Sequence, residues 1–346
     1  MDAFSALSRR DFLKLGGLGL IGLLLPNNNT LFQLKTSYDL FNQQGRVTDA
    51  SINIYKTPSF ADQIISFYWR DIVLPLTGVS TSDDTSASNR VWYQVNGKGY
   101  AYSGSVQPVK TNLNVPVLKL PRKINLAEVT VPFTDAHAFP KYSAVILYRF
   151  YYETTHWVDE VVIDQDKNLW YRVTDDKFES FQYVPTRHLR LIPDEELTQL
   201  SPEIPADQKR IEVILGKQLV IAYESDRPVF MTRASTGGSF NRGIFATPQG
   251  RFLTFHKRPS AHMAAGNLAA NGFDLPGVPW VSYITESGVA FHGTYWHNDF
   301  GRPRSHGCIN IPSQAAKWIY RWTQPLVPPD VTYRFLDYGT RVDVIA

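Results

Sequence analysis

The chain of 346 residues holds one cysteine, Cys308, and three of its eight histidines, His292, His297 and His306, stand close to it in sequence. A thiol is nucleophilic as thiolate, and a free one is mostly protonated near neutral pH. A histidine beside it can take the proton, because its own pKa lies near working pH. The stretch His292 to Asn310 therefore brings together a nucleophile and candidate bases for acyl transfer. His292 is one base; His306 is the other, two residues from Cys308 and so on the same face of an extended segment. Gly307 permits a tight turn. The N–H groups of His306, Gly307 and Cys308 can then face a developing oxyanion. Asp299 is the nearest carboxylate in sequence that could orient an imidazole. Two other chemistries compete. His256, His262 and His297 with the cysteine could ligate zinc, although their spacing repeats no pattern such as His-Glu-x-x-His. Alternatively, Cys308 is an inert core thiol.

His292-Gly293, then Ser305-His306-Gly307-Cys308-Ile309-Asn310 with the cysteine sixteen residues after the first histidine, resembles the active-site signature of the L,D-transpeptidases, the YkuD family. Many members carry Arg where Asn310 stands. The resemblance covers about 209–345 and includes the element Thr247-Pro248-Gln249-Gly250. It implies that Cys308 attacks a peptide carbonyl and forms a thioester. It implies that His292 is the base, its ring oriented by the carbonyl of Gly293, with His306 and Gly307 completing the catalytic loop. Ser305, Asn310, Trp296, Tyr283 and Trp280 are the expected substrate-binding residues; Trp280 and Tyr283 read equally well as core. The implied donor is a tetrapeptide stem of peptidoglycan, cut before its terminal D-alanine. A second stem as acceptor gives a 3→3 cross-link, and water gives an L,D-carboxypeptidase. No cofactor and no metal are required. A thiol hydrolase of another exported peptide and a non-catalytic wall-binding protein are the other readings.

These residues need a rigid frame. Ile211, Val213 and Leu215 alternate, Gly216-Lys217 turns, and Leu219, Ile221 and Tyr223 alternate again, which is a β-hairpin. Strands follow at 229–234, 251–256, 280–284 and 288–292, so His292 ends a strand. The Gly-, Ala- and Pro-rich stretch 256–279 reads as a long loop, a lid over the site. Pro312-Ser313 opens a helix with Ala315, Trp318, Ile319 and Trp322 on one face and Ser313 as N-cap. A last strand covers 341–345.

Upstream, the chain reads as short strands. Ser51–Tyr55 alternates, and Val91–Val95 leads into the turn Asn96-Gly97 and a return at Tyr100–Tyr102. Leu169–Val173 repeats Val91–Val95 almost position for position. The shared Trp-Tyr-x-Val is similar to bacterial SH3-like modules, which dock on wall peptides or on neighbouring domains. The expected fold is mainly β: two small SH3-like β-barrels at 46–110 and 127–193, a linker at 193–209 with a helical turn, and a YkuD-type β-sandwich or barrel with one or more short helices at 209–346.

Charge excludes some partners. The formal charge is +3, too mild to argue for nucleic acid. A single cysteine excludes an internal disulfide. Ser8-Arg9-Arg10-Asp11-Phe12-Leu13-Lys14 and the apolar run Leu15–Leu25 resemble a twin-arginine export signal. Eleven residues are short for a span, and no Ala-x-Ala site or lipobox cysteine follows. Residues 1–30 are thus expected to be an export signal or a retained N-terminal anchor. The protein is expected outside the cytoplasm, in periplasm or cell wall, as a monomer whose partners are peptidoglycan stem peptides.

Overall fold

The computed structural model describes residues 43–240, 243–269 and 272–346. The export signal expected at 1–30 lies outside them. No helix among the described residues is long and apolar enough to cross a membrane.

Seven strands build module 1: β1 (Gln43–Val47), β2 (Ser51–Tyr55), β3 (Ile64–Trp69), β4 (Val73–Thr81), β5 (Val91–Val95), β6 (Gly99–Tyr102) and β7 (Val106–Val109). Seven more build module 2: β8 (Asn125–Val129), β9 (Phe133–His137), β10 (Ile146–Tyr151), β11 (Thr155–Ile163), β12 (Leu169–Asp175), β13 (Ser180–Pro185) and β14 (Leu189–Leu191). The first sheet runs β3-β2-β6-β5-β4-β1-β7 and the second β10-β9-β13-β12-β11-β8-β14, the same order strand for strand. Sequence alternation explains the local pairing. In β2, Ile52 and Ile54 point inward and their neighbours Ser51 and Asn53 outward. Asn96 and Gly97 both take left-handed φ, as a two-residue hairpin turn between β5 and β6 requires. Trp92 and Trp170, at matching places in β5 and β12, are 1% and 0% exposed. They are core residues of their modules, packed against Tyr55 and Phe60 and against His137 and Tyr142 respectively.

The C-terminal unit holds β15 (Lys209–Ile214), β16 (Leu219–Glu224), β17 (Arg227–Arg233), β18 (Ser239–Phe240), β19 (Gly243–Ile244), β20 (Gly250–Leu253), β21 (His256–Ala265), β22 (Phe273–Tyr283), β23 (Ala290–Gly293), β24 (Ile309–Ile311), helix α1 (Ser313–Trp322), β25 (Arg334–Phe335) and β26 (Arg341–Ile345). One sheet runs β17-β16-β15-β26-β20 and another β24-β23-β22-β21-β25. Ile211, Val213, Val220 and Val342 from the first meet Trp280, Phe291, Ile309 and Ile311 from the second, with Ala315, Ile319 and Trp322 of α1 in the same core. Burying each large side chain of this set contributes about 1.5–3 kcal/mol. The fold is mainly β with several sheets and one α-helix among the described residues, as expected.

Three local expectations change. Residues 256–279 are no lid loop; most of them are β21 and β22, paired in a long antiparallel hairpin. Its glycines and prolines hid the strands; Pro276 and Gly277 fall opposite the register shift between Ala261 and Met263. The hairpin is fixed to the helix by Lys257, whose buried amino group donates to the carbonyls of Tyr320 and Thr323 at the end of α1. Ser313 is the first residue of α1 and makes no cap; Pro312 stands at the N-cap in extended conformation. Trp280 is buried in the core beside Tyr320 and is no pocket wall.

Candidate active site

The parallel pair β23–β24 positions the chemistry. Its register aligns Phe291 with Ile309, His292 with Asn310 and Gly293 with Ile311. Phe291, Ile309 and Ile311 face α1 and the core. The intervening residues point to the other face, so Ala290, His292, Cys308 and Asn310 share it. Cys308 packs there with Ala290, Tyr295, Trp296 and Tyr283. Its sulfur lies 3.5 Å from the carbonyl oxygen of Gly288, and the N–H of Ala290 also faces it. Burial pushes the thiol up to about 11, opposed by that amide.

His292 is buried, and burial lowers its pKa to about 4. Its Nδ1 lies 3.1 Å from the carbonyl oxygen of its neighbour Gly293. A neutral ring bonded this way carries its proton on Nδ1 and leaves Nε2 with a lone pair. Asp299 does not take this orienting role. Its carboxylate, fully buried, accepts from Tyr102 at 2.6 Å, from Arg304 at 3.1 Å and from Arg302. The resting pair is thus a neutral thiol and a neutral imidazole on one sheet face.

The loop before Cys308 is held from inside. Gly307 has φ +114, a conformation open to glycine and strained for other residues. Its N–H donates to the hydroxyl of Ser305 at 3.1 Å, and the same hydroxyl donates to the carbonyl of Cys308. The Ser305 hydroxyl is therefore engaged by the loop, and the Gly307 amide is removed from the expected set of oxyanion donors. Thr247, from the Thr-Pro-x-Gly element, donates to the carbonyl of Gly307 at 2.7 Å. His306 is exposed, with its ring against Phe245 and Phe273 near the hairpin tip. Trp296 is half-buried with its ring 5.6 Å from that of His292. Tyr283 stacks on His256 and neighbours Cys308.

The three histidines weighed as zinc ligands sit apart in chemistry. His256 lies among Tyr283, Tyr333 and Phe335. His262 bridges Asp175 and Asp274. His297 meets Asn310. Among the described residues no group of three or more His, Cys, Asp or Glu is placed to hold a metal. Sequence reasoning missed the partners of the connecting loop, Tyr93, Tyr102 and Arg46 of module 1. No signal within module 1 marks them.

Residues 208–344 match the family model described as the YkuD L,D-transpeptidase catalytic domain. A search of curated proteins returns no match. Among solved structures, a crystal structure of a cysteine-to-serine mutant of the Enterococcus faecium L,D-transpeptidase is 24% identical over 40% of this chain and 49% of that one, with TM-score 0.31. L,D-transpeptidase 3 from Mycobacterium tuberculosis is 18% identical over 49% and 75%, with TM-score 0.32. An L,D-transpeptidase from Mycobacterium smegmatis is 16% identical over 78% and 100%, with TM-score 0.32. The chain spans about half the length of the Enterococcus faecium enzyme it matches. Within this chain, residues 208–344 are a YkuD-type L,D-transpeptidase catalytic domain.

Proposed function

We propose that the protein is an exported L,D-transpeptidase that forms 3→3 cross-links in peptidoglycan through a thioester on Cys308. The observation that carries this reading is the imidazole of His292, fixed by the Gly293 carbonyl and sharing a sheet face with the only thiol. Its Nε2 accepts the thiol proton as sulfur attacks the carbonyl of the donor stem. The carbonyl π pair moves to oxygen, for which the N–H groups of Cys308 and His306 are the expected amide donors once Gly307 is bonded to Ser305. The C–N bond then breaks, and the imidazolium returns the proton to the leaving D-alanine amine. An amine from a second stem repeats the sequence in reverse and restores the thiol. Because thiol and imidazole are both neutral at rest, proton transfer accompanies attack rather than preceding it. Trp296 and Tyr283 are the pocket walls of this reading, and His306 borders it. The two N-terminal modules are read as SH3-like units, and the export route as the twin-arginine one.

The test is incubation of the full chain with muropeptides, followed by mass spectrometry. New 3→3 dimers are the expected result; loss of D-alanine alone identifies an L,D-carboxypeptidase, and unchanged muropeptides overturn the reading. Cys308→Ala abolishes all products, and a carbapenem acylates the parent chain but not this variant.

A further inference from the structure

The loop that joins His292 to Cys308 does not rest on its own domain alone. It is bonded to module 1. The N–H of Asn298 donates to the carbonyl of Gly104 at 2.9 Å. Its side-chain amide reaches the Tyr93 hydroxyl and the Ser103 carbonyl, both at 3.2 Å. The Tyr102 hydroxyl donates to Asp299 at 2.6 Å. Gly104 allows this approach, since a Cβ there would come within 2.7 Å of the Asp299 carboxylate.

From Asp299 a line of buried polar groups leads to the catalytic strand. Its N–H donates to Nδ1 of His297 at 3.2 Å. Burial, helped by the nearby Arg304 guanidinium, lowers His297 to about 3, so its ring is neutral. A neutral ring whose Nδ1 accepts must carry its proton on Nε2. That Nε2 lies 3.2 Å from the side-chain amide of Asn310. With the amide nitrogen toward the ring, two donors face each other, and the amide oxygen is buried without a partner among the described residues. Oxygen and nitrogen of such an amide are told apart only by their hydrogen bonds. Turning the amide removes the clash of donors and leaves one group to satisfy. The oxygen then accepts from His297, and the NH2 group takes the buried, unpartnered position. Asn310 is aligned with His292 and lies two residues past Cys308, on the face they share.

We infer that Tyr102 of module 1 is a positioning residue of the active site, which acts through Asp299 and His297 to turn the Asn310 amide so that its NH2 donates to an acceptor oxygen of the donor stem. The relay rests on the acyl-transfer reading of Cys308. Module 1 is on this view a working part of the catalytic site, and a substrate oxygen supplies the partner that the amide lacks.

The experiment uses the full chain in four forms: parent, Tyr102→Phe, Asn310→Ala and the double variant. The rate of Cys308 acylation by a carbapenem is followed by intact mass, alongside the melting temperature. In Tyr102→Phe acylation slows about tenfold, the equivalent of one hydrogen bond to a charged group, while melting is unchanged. In the Asn310→Ala background the same change has no further effect. Histidine 15N chemical shifts report His297 as the Nε2–H tautomer in the parent. Equal rates for parent and Tyr102→Phe, a full tenfold loss in both backgrounds, a loss that tracks a lower melting temperature, or an Nδ1–H tautomer overturns the relay and leaves the transpeptidase reading intact. A parent chain that takes up no carbapenem overturns both.

Discussion

Module 2 gives Leu126 and Trp157, with Ile192 just after it, to the main core of the catalytic unit. Module 1, with the same strand order, keeps Val47, Ile54, Leu76 and Val106 in a cluster of its own. It reaches the catalytic unit through polar groups, chiefly those on the loop 295–304. Module 2 also bonds to the β21–β22 hairpin through Thr155, Asp175 and Asp176. One architecture thus serves in two ways. Shared apolar burial ties stability together, whereas a polar contact to one loop can set geometry while contributing little to folding.

The largest effect should fall on this contrast directly. Trp157→Ala empties a buried site in the shared core, at a cost of about 3–5 kcal/mol, and should loosen the catalytic strands with the module. Leu76→Ala costs about 2–5 kcal/mol and should loosen module 1 alone. Amide hydrogen exchange over 209–345 checks this: faster exchange in the first variant and parent-like exchange in the second. Equal exchange in both would break the contrast.

Arg46 is the junction where both modules meet the site. Its guanidinium, 2% exposed, bonds Asp71 at 2.8 Å, Gln107, and the carbonyl of Tyr295 at 2.5 Å, and it lies over the ring of Tyr151. Arg46→Met leaves a buried carbonyl without a donor, and Asp71 with Arg149 as its remaining ion-pair partner. A loss of about 3 kcal/mol is expected, with lower cross-linking activity in the folded variant. Urea titration and the muropeptide assay measure the two. A stable variant of full activity would reduce module 1 to a passenger.

How much of this could be read from sequence follows the same division. The proposed nucleophile and base and the strands beneath them are local: a motif within nineteen residues, and period-two alternation in β2, β15 and β16. The relay is not local. Tyr102 and Asp299 are 197 positions apart, and His262 and Asp175 are 87 apart; nothing in either neighbourhood specifies the other. The β21–β22 hairpin failed for another reason. Gly266, Gly272, Gly277, Pro259, Pro276 and Pro279 erase the alternation that marks a strand. Trp280 reads equally well from sequence as pocket wall or core, and it is buried in the core with Ala315, Ile319 and Trp322 of α1.

The seam between module 2 and the hairpin should carry a pH dependence. His262 faces Asp175 and Asp274, with Asp176, His156, Tyr148 and Phe178 around it. Burial opposes its charge, yet the hydrogen bonds to the two carboxylates raise its pKa overall. A raised folded-state pKa contributes stability that is fully present below the unfolded value, about 6.5, and is lost as pH rises through the folded value. His262→Gln should therefore cost about 1.5–3 kcal/mol at pH 6, and the difference from the parent should shrink toward pH 9. Urea midpoints across that range check the sign; a difference that grows with pH would refute the charged seam.

The smallest effect belongs to the outermost bond of module 1. Asn298→Ala removes the side-chain bonds to Tyr93 and Ser103 and keeps the backbone bond to Gly104. Tyr93 loses its amide partner, and burial already holds its pKa up to about 12, so its hydroxyl stays neutral. The expected cost is about 1 kcal/mol, felt by the loop rather than by the fold, since the sheets on either side keep their cores. Melting should barely move, while carbapenem acylation of Cys308 slows by less than in Tyr102→Phe. If the order reverses, the backbone bond and Tyr102 do not hold the loop, and the amide of Asn298 is the true link between module 1 and the site.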